Sequence, residues 1–274
     1  MSFKYTTAYQ TDDEFLASTK SLNDVTFKSN LKVFMDHDGF RGGEIHTFVG
    51  AKGSGKSTWC KTILTELIDQ DKNVFLYVSE EEISKYTNPI NRYFRLKTKT
   101  AGEVEMYLNR IFNVSEMDDF DMCNEETFFK NLEEMIVECQ IDILIFDNFT
   151  TSFLSELFIS NQSNALRRFK QVAIRYNIPI VMFFHTSKNY NQKTLNGDNV
   201  RGSGTAINIG SYNYVMHQNV INNKIKNFIY TEKARYHNKA NKSVYEIVYD
   251  SDSGLFSRCF DFDMASLKEI MKNE

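Results

Sequence analysis

The chain has 274 residues, 42% hydrophobic and 25% charged, with a formal net charge of −4. This composition suits one large α/β domain with a short appendage and excludes a disordered or fibrous protein. With no run of eighteen apolar residues and no apolar core after Met1-Ser2-Phe3-Lys4-Tyr5, neither a membrane partner nor export is expected, and the protein should stay in the cytoplasm where it is made.

Residues 1–30 are polar, with one weakly amphipathic segment over Asp13 to Leu22, and read as an arm rather than a domain. Residues 31–274 then read as a single domain. Gly39-Phe40-Arg41-Gly42-Gly43-Glu44 is a turn cluster ahead of a strand, Ile45-His46-Thr47-Phe48-Val49. That strand runs into Gly50-Ala51-Lys52-Gly53-Ser54-Gly55-Lys56-Ser57-Thr58, which fits the phosphate-loop pattern G-x-x-x-x-G-K-[ST]. Consecutive backbone N–H groups grip a polyphosphate, and glycines let the backbone turn inward to present them. Lys56 adds a point charge on the outer phosphates, and the Ser57 hydroxyl can hold Mg²⁺ at a helix start whose dipole favours anions. A helix with Ile63, Leu64 and Leu67 on its inner side is expected from Trp59 to Asp69. A chance match to the pattern in a chain of this length has a probability on the order of 1%, so a site for ATP, or another NTP or dNTP, with Mg²⁺ follows.

Asn73 to Ser79 is an apolar run of strand length that stops at Glu80, Glu81 and Glu82. Thr100 and Glu103 form a capping box opening a helix through Met106, Leu108 and Ile111. A second helix is expected from about Glu125 to Cys139, then a strand from Ile141 to Asp147 and a long helical stretch to about Tyr176. Pro179 to Phe184 is another buried strand, ending at His185. Beyond it, Thr186 to Val200 is polar and loop-like, closed by Arg201-Gly202-Ser203-Gly204. Strands follow at roughly Tyr212 to Gln218, Asn227 to Thr231, Ser243 to Tyr249 and Leu255 to Phe260, and Asp263 caps a last helix, Met264 to Met271. The fold class is therefore α/β: a mostly parallel sheet flanked by helices, with an antiparallel C-terminal extension. Cys60, Cys123, Cys139 and Cys259 show no C-x-x-C spacing, which predicts reduced thiols without zinc.

Asp147, at the end of a buried strand, is where a second Mg²⁺-shell carboxylate is needed opposite Ser57. Glu80 and Glu81 both end the strand after the phosphate-loop helix, from which either can orient and deprotonate the attacking water. His185 ends the strand after Asp147, a position from which an imidazole can sense the γ-phosphate and report it to the next loop. That loop carries Lys188, Asn189, Asn191 and Lys193, with Arg201 at its far end, groups suited to a nucleic-acid backbone. Net negative charge does not exclude such a partner, because a ring can be acidic outside and basic only in its channel.

The ordered series G-F-R-G-G-E (39–44), G-A-K-G-S-G-K-S-T (50–58), V-S-E-E (78–81), I-L-I-F-D (143–147), F-F-H-T-S-K (183–188), R-G-S-G (201–204) and K-A-R (233–235) resembles the RecA-like ATPase core of DnaB-type replicative helicases, closest to phage ring helicases. The resemblance spans roughly residues 31 to 260. It implies a hexameric ring that hydrolyses NTP at subunit interfaces and draws single-stranded DNA through its channel during replication, in the host cytoplasm if phage-encoded. By that match Glu80 is the catalytic base rather than Glu81, and His185 the γ-phosphate sensor. The loop from Lys188 to Val200 is the DNA-gripping channel loop, with Arg201 and Gly202 at its base. Lys233 and Arg235 are the pair inserted into a neighbour's nucleotide site, and Tyr249 stacks on the base. The arm over 1–30 would pack on a neighbouring subunit, and a separate primase or loader would supply the N-terminal functions that usually precede such a core. A rival of another class is a RecA- or KaiC-like ATPase whose cycle drives filament assembly or signalling without strand separation. A small-molecule P-loop kinase is disfavoured by the polar loop after His185 and the late K-A-R.

Overall fold

A computed structural model describes residues 25–36, 39–97, 99–115, 125–152, 162–186, 208–236 and 242–272. Its centre is a sheet built from β3 (Ile45–Gly50), β4 (Val74–Val78), β6 (Ile143–Asp147) and β7 (Ile180–His185), with β5 (Ile111–Ser115) on one side and β8 (Tyr212–Ile221), β9 (Lys224–Ala234), β10 (Val244–Asp250) and β11 (Leu255–Phe262) on the other. The strand order is β11-β10-β9-β8-β3-β7-β6-β4-β5. From β5 to β8 all neighbours pair parallel, and β8 to β11 pair antiparallel, which is the expected fold class. The central strands are near-continuous apolar runs because helices cover both faces, and every residue of β3, β4 and β6 is buried.

On one face lie α2 (Lys56–Asp69), α3 (Ile83–Leu96) and α4 (Ala101–Leu108). Their Trp59, Ile63, Leu67, Tyr86, Ile90, Phe94 and Val104 join Phe48, Leu76 and Ile145 of the sheet in one buried cluster. On the other face α5 (Glu125–Glu138) and α6 (Gln162–Tyr176) close a second cluster through Phe128, Phe129, Leu132, Phe169 and Val172. The last helix, α7 (Met264–Lys272), seats Leu267 on Val215, Phe228, Tyr230 and Val244. Asp263 accepts from the Ser266 N–H at 2.7 Å ahead of α7, as its position predicts. Before the central sheet, β1 (Val25–Phe27) pairs with β2 (Phe40–Arg41) around the short α1 (Lys32–Met35), and Phe27 is buried in the first cluster.

One expectation needs correction, and one segment left unassigned is a helix. The helix opened by Thr100 ends at Leu108, and Ile111 begins β5 instead of continuing the helix. Ile111 to Ser115 pair parallel with Val74 to Val78, so hydrogen bonding to the open edge of β4 overrides a helical spacing carried mainly by Leu108 and Ile111. The segment after Glu82, unassigned from sequence, is α3, with Pro89 inside it. Its buried Tyr86, Ile90 and Phe94 recur every fourth residue, a helical stripe that the polar surroundings and the proline obscure. Cys60, Cys139 and Cys259 are free thiols, and Cys123 lies outside the described residues.

Candidate nucleotide-binding site

β3 delivers the phosphate loop to the carboxyl end of the sheet, where open α/β folds bind ligands. A Cβ at Gly50 would sit 2.4 Å from Ser54 Oγ and 3.0 Å from the Met216 carbonyl, so the strand can enter the loop only as glycine. Gly55 takes a left-handed φ of 87° as the N-cap of α2, which has no side-chain cap. The first N–H groups and the positive dipole end of α2 therefore open onto the loop. Lys56 is buried, and its Nζ donates to the carbonyls of Gly50 (2.8 Å) and Ala51 (2.7 Å). Burial pushes its pKa down to about 8, against the pull of Asp147 and Glu80.

Asp147 ends β6 beside this loop and accepts hydrogen bonds from Tyr86 Oη (2.5 Å) and from the Ser57 hydroxyl. Burial raises its pKa, while those hydrogen bonds, Lys56 and Lys61 oppose the rise. Among the described residues no group of three His, Cys, Asp or Glu side chains could cage a metal by itself. One hydroxyl and one carboxylate in contact instead fit Mg²⁺ taken with substrate phosphates, the usual mode for this cation. Ser57 and Asp147 are the residues that could hold such a cation.

Glu80 and Glu81 diverge. Glu81 turns to α2 and pairs with Lys61 at 2.8 Å. Glu80 Oε1 lies 3.1 Å from His185 Nε2, which in turn lies 2.9 Å from Asn148 Nδ2. Burial works to raise the Glu80 pKa, but its polar neighbours Thr151, His185 and Asn148 outweigh it and hold the carboxyl below the ordinary range. His185 is pushed down by burial and by Lys56, against Glu80. The site therefore holds an ionised carboxylate beside a neutral imidazole at neutral pH.

Tyr249 lies half-exposed in a cavity of about 470 Å³ shared with Gly53, Gly55, Thr58, Asn227 and Phe256. Lys52 is an exposed residue of the loop. Lys233 and Arg235 are not brought to this site. Arg235 N–H donates to the Ser211 carbonyl and Ser211 N–H to that of Ile45. Arg235 is thus level with the start of β3, roughly 16 Å along the strand from Gly50 at about 3.3 Å per residue. There Lys233 Nζ donates to the Gly210 carbonyl (2.9 Å) and Arg235 Nη2 to that of Asn208 (3.2 Å). Lys188, Asn189, Asn191, Lys193, Arg201 and Gly202 lie outside the described residues. Sequence reasoning missed Tyr86, Lys61, Asn148 and Thr151. Asn148 follows Asp147 directly and could have been noticed by position, whereas Tyr86 and Lys61 meet the site only through helix packing.

The nine-stranded sheet sets the phosphate loop at the end of the central β3, with His185 ending β7, Asp147 ending β6 and Glu80 just past β4, and its fold is RecA-like. The crystal structure of the RadB recombinase shares it, with a TM-score of 0.62 over 87% of this chain and 99% of that one, at 14% sequence identity. At that identity the likeness is one of fold. No protein-family model matches the sequence, and no curated protein does.

Proposed function

We propose that the chain is an Mg²⁺-dependent NTPase of the RecA-like type, acting as an oligomer on nucleic acid. The observation that carries this reading is the convergence of the Gly50–Thr58 loop, Asp147, Glu80 and His185 at one end of the sheet, with Glu80 and His185 at 3.1 Å. In the proposed reaction the loop N–H groups and Lys56 hold the β- and γ-phosphates, and Ser57 and Asp147 hold the cation. The cation, when bound, neutralises charge on the phosphates. Glu80, ionised and hydrogen-bonded, orients a water in line with the γ-phosphorus and takes its proton. In this reading His185, 3.1 Å from Glu80 and paired with Gly50 across β3 and β7, responds to loss of the γ-phosphate. Tyr249 offers a face to the base.

A recombinase as structural neighbour favours a RecA-like ATP cycle on DNA without strand separation. The ordered motif series supports a second reading, a DnaB-type ring that translocates on single-stranded DNA and unwinds duplex. Phosphate release with and without single-stranded DNA tests the shared core. Glu80→Gln is expected to bind NTP and lose hydrolysis by at least about a hundredfold, while Glu81→Gln keeps most of it. The reverse pattern would move the base to Glu81. Unwinding of a forked duplex then separates the two readings.

A further inference from the structure

Asn148 Oδ1 accepts from the backbone N–H of Thr151 and from its Oγ1, each at 3.0 Å. A backbone N–H only donates, so the orientation of the amide is fixed and Nδ2 must face the site. There it lies 2.9 Å from His185 Nε2, and it also hydrogen-bonds the Glu80 carboxylate. An amide nitrogen only donates, which calls for an accepting Nε2, whereas the Glu80 carboxylate 3.1 Å from the same atom only accepts, which calls for Nε2–H. The ring also bonds the Gly50 carbonyl, which can only accept, so the ring proton belongs on Nδ1.

We propose that Asn148 is a positioning residue that sets the tautomer of His185, Nδ1–H with Nε2 as acceptor, and thereby keeps Glu80 available to the attacking water. The proposal rests on Glu80 being the base. The alternative partnership for Nε2 is Glu80 itself, 3.1 Å away. A proton on Nε2 would donate to Glu80 Oε1, draw negative charge off the base, and leave Asn148 Nδ2 facing an N–H. The charged groups acting on the ring are Lys56, from the start of α2, which opposes the second proton, and Glu80, at the end of β4, which favours it. Asn148 acts in the same direction as Lys56, and without it the balance moves toward the ion pair that masks the base.

The test is Asn148→Asp, which keeps an acceptor for Thr151 but replaces the donor facing Nε2 by an acceptor, with Asn148→Ala as a second variant. Imidazole ¹⁵N spectra of the full chain should show the Nδ1–H tautomer in the wild type. The His185 pKa should rise by one unit or more in Asn148→Asp and by less in Asn148→Ala. At saturating Mg²⁺ the acid limb of kcat should move up with it, so that Asn148→Asp is slower by about tenfold or more at pH values below both His185 pKa values and within a few-fold of the wild type near pH 8. An Nε2–H tautomer in the wild type, an unmoved His185 pKa, or a loss of rate by the same factor at every pH would each overturn the proposal. Glu80→Gln, assayed in parallel, reports separately on the base: hydrolysis surviving in it would remove Glu80 from that role while leaving the tautomer assignment to the spectra.

Discussion

Burial pushes the Lys56 pKa down to about 8 from the ordinary 10.5. Two consequences of opposite sign follow. A bound polyphosphate stabilises the ammonium and raises its pKa, so affinity is highest below 8 and falls as pH rises through it, by up to about tenfold per unit. The pKa of the free folded chain, in contrast, is depressed relative to the unfolded chain, so the unfolded state binds more protons between about 8 and 10.5. Over that window the contribution of Lys56 to stability rises with pH. Titrating a fluorescent NTP from pH 7 to 9.5, and melting wild type against Lys56→Met over the same range, checks both. The expected results are weaker binding with rising pH in the wild type only, and a stability gap that shifts in favour of the wild type with rising pH. Flat binding across pH 8 would mean that the ammonium does not contact the phosphates.

At the scale of elements, α4 shows how far local signals carry. Thr100 Oγ1 accepts from the Glu103 N–H at 3.3 Å, and Glu103 Oε2 accepts from the Thr100 N–H at 2.7 Å, the reciprocal box expected from T-x-x-E. Both residues are exposed and distant in sequence from the loop, so Thr100→Ala should cost about 1 kcal/mol in a denaturant melt with hydrolysis per folded molecule unchanged. An unaltered midpoint would place the start of α4 under the control of packing at Val104 instead. The same helix marks the limit of sequence reading: its start is written in Thr100 and Glu103, but its end is set by pairing with β4, a partner more than thirty residues back in the chain. Likewise Asp147, Glu80 and His185 were legible because each ends an apolar run, where a strand must deliver it to the carboxyl edge. Asn148 was legible only as the residue after Asp147, its part depending on an amide fixed by Thr151, and Tyr86 was not, since it reaches the site from a helix whose stripe is obscured by polar neighbours and Pro89.

At the scale of the whole molecule, the K-A-R segment and the phosphate loop sit at opposite ends of the strands that join them, because β9 runs antiparallel to β8 and ends level with the start of β3. A separation of roughly 16 Å along the strand exceeds the reach of an arginine side chain, so within one chain Arg235 has no access to the phosphates held by Lys56. If Arg235 serves hydrolysis, it does so on a second subunit, in a head-to-tail contact of the kind that closes into rings or extends into filaments. A guanidinium supplied in this way is worth about 10³-fold or more in phosphoryl transfer, so Arg235→Ala alone should be nearly inactive, as should Lys56→Ala. Mixed in equal amounts and allowed to exchange, the two inactive variants should recover activity. An Arg235→Ala subunit brings an intact loop, a Lys56→Ala neighbour brings an intact arginine, and roughly a quarter of random head-to-tail interfaces combine the two. Subunit exchange followed by energy transfer between labelled chains is the necessary control. With exchange demonstrated and the mixture still inactive, the arginine would not act across an interface, and neither the ring nor the shared site could be retained.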